Sequence, residues 1–164
     1  MARKSAGILL WKRERDCVRV LLAHPGGPFW KNKDAGAWSI PKGEYGDDEE
    51  PLAAAKREFA EELGPLPAGE ITPLGEIRQK AGKVVTAFAL EADFDCANFT
   101  CNSFEIEWPP KSGKRASFPE IDQAQWFSLD EARQKINSAQ AELIDRLEAA
   151  LATSSPAKSR PARR

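Results

Sequence analysis

The sequence predicts one α/β (α+β) domain, and three observations carry that expectation. Short apolar runs bounded by glycine, proline or charged residues recur along most of the chain, as strands do. One helical pattern interrupts them, opened by Pro51 and stopped by Gly64-Pro65. A capping box, Ser128-Leu129-Asp130-Glu131, opens a helical region near the C-terminus. The length of 164 residues suits a single domain with a real core, and 41% hydrophobic with 30% charged residues is an ordinary globular balance. The domain is expected over residues 1–152, and the basic run of residues 153–164 is expected to be a disordered tail, because it has nothing to bury.

From the N-terminus, Ser5 to Lys12 and Cys17 to His24 read as two strands joined through Arg13–Asp16. Pro25 to Gly36 is a loop by its glycine and proline content. It carries Phe29 and Trp30, which either tuck into the edge of the core or wall a pocket. Ala37 to Pro41 is a short strand leading to the acidic segment. Ile71 to Gln79 and Lys83 to Phe94 are a strand pair turning at Ala81-Gly82. Phe104 to Trp108 alternates apolar and acidic residues, as a half-buried strand does. Pro109 to Glu120 is a basic loop, and Gln125 to Ser128 a last short strand. The helix begun at Ser128 pauses near Asn137 and resumes with Leu143, Ile144, Leu147 and Leu151 on one stripe. Trp11, Trp38 and Trp126 are assigned to the core.

The central helix poses the chemical question. Leu52, Ala55, Phe59 and Leu63 recur every three or four residues and form its buried face. Glu58, Glu61 and Glu62 stand at i, i+3 and i+4, so their carboxylates share another face. Like charges at these spacings destabilise a helix by roughly 0.2–0.5 kcal/mol per pair. Either open water or a cation must answer that repulsion. Magnesium takes oxygen ligands and is bound beside one or two carboxylates and substrate phosphates, which suits such a face.

The surrounding spacing distinguishes the two. From Gly43 the chain reads glycine, five residues, Glu49, seven residues, then Arg57-Glu58-Phe59-Ala60-Glu61-Glu62-Leu63-Gly64. This pattern resembles the box of the Nudix hydrolases, with every charged and glycine position filled and Pro65 where a bulky aliphatic is usual. The strands before it, the Pro41-Lys42-Gly43 entry and the Trp126-Phe127 helix start extend the likeness over residues 5–151. The resemblance implies a Nudix-type α/β/α sandwich with a mixed central sheet. It also implies hydrolysis of a nucleoside diphosphate linked to another group, with magnesium, or manganese in its place, as cofactor. It makes Glu58, Glu61, Glu62 and the Gly43 carbonyl the metal ligands. Arg57 then holds a glutamate through a charge-assisted bond, with Glu49 in support. Glu120 is the candidate for a proton acceptor outside the box, against its reading as a plain surface carboxylate. The Pro41-Lys42-Gly43 entry and the segment Glu120–Trp126 are most similar to the diadenosine tetraphosphate hydrolases. A tyrosine frequent after the box in that branch has no counterpart, since Lys80-Ala81-Gly82 occupies the region and the only tyrosine is Tyr45.

Phosphates need cationic partners. Lys42, Lys80, Lys83, Lys111, Lys114 and Arg115 are the candidates, and the run Lys111–Arg115 could close over a polyphosphate. His24, the one histidine, is either structural or a substrate contact. Trp30, Phe29 and Trp108 could stack a base. The formal net charge of −1 means that any nucleic-acid or phosphate contact must be local. Three cysteines at these spacings form neither a zinc site nor a disulfide framework. The apolar run Ala6–Trp11 is too short for a signal peptide core, and no run approaches the ~20 residues of a membrane helix, so a cytoplasmic protein without membrane contact is expected. The expected ligand is a nucleotide, with dinucleoside polyphosphates ahead of nucleoside triphosphates (normal or oxidised) and an RNA 5′ end. A non-catalytic nucleotide-binding module comes last, because such a module would be free to lose a glutamate or Arg57. The protein is expected to be a monomer or a homodimer.

Overall fold

The computed structural model describes residues 3–79 and 82–159, with side chains through Ala152. Its centre is strand β1 (Lys4–Glu14), whose run Ala6 to Trp11 is buried on both faces, as a strand covered by helices on each side must be. A two-residue turn leads back into β2 (Cys17–Pro25), with Glu14 opposite Cys17 and positive φ at Arg15 and Asp16, the geometry that matches strand twist.

The remaining strands are β3 (Lys42–Glu44), β4 (Ile71–Arg78), β5 (Val84–Glu91), β6 (Ser103–Glu107), β7 (Arg115–Pro119) and β8 (Ile121–Ser128). The main sheet runs β4-β5-β1-β2-β8, with β3 pairing β1. Only β1 and β5 are parallel partners in it, so the sheet is mixed, as expected. Helix α1 (Pro51–Leu63) covers one face. Helices α2 (Leu129–Lys135) and α3 (Ala141–Ser159) cover the other, separated by a single 3₁₀ turn at Ser138–Gln140. The expected α/β/α sandwich is the observed one.

Strand alternation sorts the core into two layers. Ala6, Ile8, Leu10, Leu21 and Ala23 pack with Ala54, Ala55, Phe59 and Leu63 of α1. Leu9, Trp11, Val20 and Leu22 pack with Trp38, Phe127, Leu143, Ile144 and Leu147. Each fully buried Leu or Phe contributes about 1.5–3 kcal/mol relative to exposure. The Ser128 capping box forms in full, with the Ser128 hydroxyl accepting from the Glu131 N–H.

Several expectations are corrected. Ala37–Pro41 is no strand. It makes isolated bridges, Ser39 to Ala23 of the sheet and Trp38 to Ile136 at the end of α2, and regular pairing begins only at Lys42, because Pro41 has no N–H for a ladder. The basic loop of residues 109–120 contains β7, which pairs with β6 in a separate two-stranded hairpin. Its alternating Ala116 and Phe118 are hidden among lysine, arginine, serine and proline. Strand β8 starts at Ile121, four residues early, because pairing with β2 supports its polar outward residues. Trp126 is half-buried rather than core, with its indole N–H donating to the Phe94 carbonyl (3.2 Å) and Lys12 over its ring. Helix α3 continues to Ser159, so helical backbone occupies the first seven residues of the expected tail, where adding a turn to an existing helix is easier than starting one. Residues 160–164 and Lys80 lie outside the described residues. Among the described residues no helix is long and apolar enough to cross a membrane.

Candidate active site

Helix α1 presents its glutamates because its other side is committed to the core: Ala55, Phe59 and Leu63 face inward, which turns Glu58, Glu61 and Glu62 toward β3 and the loops beyond it. Strand β3 lies beside them through its pairing with β1. Pro51 stands at the first helical position, and Gly64, at φ +103, closes the helix with its N–H on the Ala60 carbonyl.

Arg57 organises the acids. Its Nε and Nη2 donate to both oxygens of Glu49 at 2.9 and 3.0 Å, a bidentate fork. Its Nη1 donates to Glu58 (2.8 Å) and Glu61 (3.2 Å), and Nη2 also reaches the Glu44 carbonyl (3.3 Å). These bonds hold Glu49 below the usual carboxylate range and raise the Arg57 guanidinium further. Glu58 is pushed upward, by burial first and by Glu61 and Glu120 as well, against the pull of Arg57.

Glu62 has no arginine. Its carboxylate accepts from the Lys42 backbone N–H, but burial and the charges of Glu58 and Glu120 push it up to about 8. Glu120, exposed between β7 and β8, is also raised, by partial burial and then by Glu61. Lys42 is pushed the other way, by burial and by the ammonium of Lys83.

The three box glutamates and the Gly43 backbone are thus brought to one place. Among the described residues no three acidic, histidine or cysteine side chains are already gathered in ligating geometry, since Glu58 and Glu61 point to Arg57. The donor set nonetheless fits a hard divalent cation. It is all oxygen, it carries more negative charge than Arg57 answers, and Gly43 leaves open the space where the Glu58 carboxylate rests.

A cleft of about 350 Å³ adjoins these acids, lined in part by Lys42, Glu62, Glu120, Trp30 and Ser39. Glu120 and Trp30, two candidates from outside the box, therefore stand with Glu62. Lys83 does not line this cleft. With Lys42, Gln79 and Asn137 it lines an adjoining cavity of similar size, so Lys42 is common to both. Lys111 and Lys114 are exposed near the tip of the β6–β7 hairpin, outside the lining of either space.

His24 stands elsewhere. It shares the register of Val20 and Leu22, so it points to the face opposite α1. There it is buried beside Trp38, with Nδ1 2.8 Å from Asp122 and Nε2 2.6 Å from the Lys33 carbonyl.

Two residues were not anticipated. Phe104 lines the cleft, and the alternation that puts Phe104 and Ile106 on one face of β6 was the available signal. Gln140, buried in the 3₁₀ turn, accepts from the Ile40 N–H (3.1 Å) and donates to Ser39 Oγ (3.1 Å). It anchors the segment entering β3, and nothing local in the sequence marks it.

A family model of the NUDIX domain matches residues 1–147. No curated protein sequence matches the chain. Solved structures do. The NUDIX domain of Shewanella oneidensis NrtR, complexed with ADP ribose, superposes with a TM-score of 0.64 at 18% identity, over 92% of this chain and 89% of that one. A C. elegans Ap4A hydrolase binary complex has a TM-score of 0.62 at 20% identity, over 91% and 98%. A mutT/nudix family protein from Listeria innocua has 0.62 at 16%, over 93% and 96%. At these identities the likeness to solved structures is one of fold.

Proposed function

The chain belongs to the Nudix family and is a pyrophosphohydrolase; on that premise we propose that it hydrolyses a phosphoanhydride bond in a nucleoside diphosphate-linked substrate, with dinucleoside polyphosphates such as diadenosine tetraphosphate preferred. The observation that carries this reading is the Arg57 fork, which gathers Glu49, Glu58 and Glu61 beside the buried, arginine-free Glu62. A set so rich in carboxylate, at the edge of a cleft with a lysine in it, suits a polyphosphate and its counter-cation.

Glu58, Glu61 and Glu62, with the Gly43 carbonyl, are the proposed metal ligands. Bound magnesium, or manganese, supplies a Lewis acid for the phosphoryl oxygens. The chain's own residues do the rest. Arg57 orients Glu58 and Glu61. Lys42 draws the phosphate chain toward the glutamates, with Lys83 behind it on the far side. Glu120, held above its ordinary range, accepts a proton from water as the water oxygen bonds to phosphorus and the bridging P–O bond breaks. A similar fold in a C. elegans Ap4A hydrolase supports the dinucleotide preference, and the ADP ribose in the Shewanella oneidensis domain belongs to the same diphosphate-linked class.

Product analysis by chromatography tests the proposal. Diadenosine tetraphosphate, nucleoside triphosphates and ADP-ribose are each offered with magnesium, with manganese and with chelator. Metal-dependent conversion of the dinucleotide to ATP and AMP is the expected result. A tenfold higher kcat/KM for a triphosphate, released as monophosphate and pyrophosphate, would overturn the substrate preference.

A further inference from the structure

Strands β2 and β8 change register where His24 stands. Their pairing is regular from Arg19 opposite Ser128 to His24 opposite Gln123, but the next partners are Pro25 and Ile121. The Gly26 N–H then donates to the Glu120 carbonyl at 2.9 Å. Asp122 is therefore an extra residue in β8, the inserted member of a bulge. The core records the insertion. Ala124 and Ile121 stand an odd number of residues apart, yet both pack in the layer with α1. In an unbroken strand they would face opposite ways. Regular pairing would also set Ile121, in place of Glu120, opposite Gly26.

The side chain of His24 holds this extra residue. Its Nδ1 lies 2.8 Å from Asp122 Oδ1, and its Nε2 lies 2.6 Å from the Lys33 carbonyl. A carbonyl can only accept, so Nε2 carries a hydrogen. Two lone pairs repel at such a distance, so a proton also lies between Nδ1 and Asp122. Exchanging the two ring nitrogens leaves this reasoning unchanged. The ring is 5% exposed and meets Trp38 edge to face, with centroids 5.1 Å apart, which keeps it from turning away. The loop at Lys33 has further ties, since Asp34 accepts from the Trp38 indole N–H at 2.8 Å and from Lys135. Among the described residues the Asp122 carboxylate bonds to no side chain but His24.

We propose that His24 and Asp122 are a positioning pair for the hydrolysis: by pinning the bulge they hold Glu120, two residues before Asp122, in place beside the box glutamates. This rests on the role given to Glu120 in the reaction above. Glu120 shares the lining of one cleft with Glu62. Its backbone is held from two sides, because its carbonyl accepts from Gly26 and its N–H donates to the Asn102 carbonyl, also at 2.9 Å. The Asn102 N–H in turn donates to the Glu61 carbonyl at 3.0 Å. A chain of backbone bonds thus runs from the end of β2 through Glu120 to α1, and the insertion at Asp122 decides which residue enters it. His24 faces the layer opposite α1, so it acts through this chain and not on the substrate.

Two measurements test the pair. The first is amide hydrogen exchange, followed by NMR on the metal-free protein. Asp122→Ala and His24→Gln should speed exchange at Gly26 and Glu120 by about tenfold or more, while Leu9 and Leu10 of β1 exchange as in the wild type. His24→Asn should stay near the wild type. An asparagine amide reaches as far as Nδ1 and keeps the bond to Asp122, whereas a glutamine amide reaches the place of Nε2 and loses it. The second is a double-mutant cycle in kcat, on diadenosine tetraphosphate with magnesium or on the triphosphate if that is cut faster. Asp122→Ala should lower kcat by about 10- to 100-fold with KM nearly constant. In a Glu120→Gln background the same change should cost less than about threefold, because the group it misplaces is already gone. Losses that multiply in the double variant would overturn the pair, since its effect would then bypass Glu120. Wild-type exchange at Gly26 in Asp122→Ala would do the same, as would a His24→Asn variant as impaired as His24→Gln. Where no member of the hydrolysis panel is cut, the fault lies with the proposed reaction, and the exchange arm still judges the pin.

Discussion

The Glu58 carboxylate occupies the space that a side chain on Gly43 would need: a Cβ built there falls 2.0 Å from its Cδ and 2.0 Å from Oε1. The glycine that starts the box and the first glutamate of its helix are therefore one steric unit, fifteen residues apart in the chain. No rotamer of a larger residue escapes this, because the conflict begins at Cβ.

Gly43→Ala should consequently displace Glu58 while leaving the two core layers intact. Misplacing a reacting group by about 1 Å can lower the rate by about 100-fold, and a loss of that order in kcat is expected. Circular dichroism and the thermal midpoint should change little. A variant with wild-type kcat would show that Glu58 is free to work from another position.

Glu62 makes a prediction about stability. Its folded carboxyl keeps a proton up to about pH 8, against an ordinary value of 4.5, so unfolding releases a proton between these limits. The metal-free fold therefore loses stability as pH rises through that window. Glu62→Gln cannot titrate. In chelator the variant should match the wild type near pH 5 and exceed it at pH 8.5 by on the order of 1–3 kcal/mol, measured by urea unfolding. In magnesium the same variant should lose hydrolysis, the expected exchange of stability for function at a charged site. Equal stability at pH 8.5 would mean that the negative charge of Glu62 is already answered within the protein.

Gln140 tests the support behind Lys42. Its Oε1 accepts from the buried Ile40 N–H, two residues before the lysine. Gln140→Ala strands that N–H, which costs about 1–3 kcal/mol, and should lower the urea midpoint by a corresponding amount with an unchanged slope. Loosening the segment into β3 should also raise KM more than it lowers kcat. An unaltered midpoint would show that water or another acceptor takes over the Ile40 N–H.

What the chain determines by itself is local. The spacing of Glu58, Glu61 and Glu62 follows from a helical repeat that Pro51 opens and Gly64 closes, and Arg57 reaches Glu49, Glu58 and Glu61 from within the same box. The Ser128 capping box is equally local. Such features depend on residues close in sequence, whose relative positions one helical turn or one short loop already sets. Tertiary structure decided the rest. His24 shares the strand of Ala23, yet the register of β2 on β1 sends it to the opposite face from the glutamates. Phe104 enters the cleft because a basic stretch folds back as β7 and packs the hairpin on Gly27. Gln140 supports Ile40 from 100 residues away. Alternation assigns a residue to one of two faces, but which face meets which helix is fixed only when the sheet closes against α1, α2 and α3, and no local spacing encodes that choice.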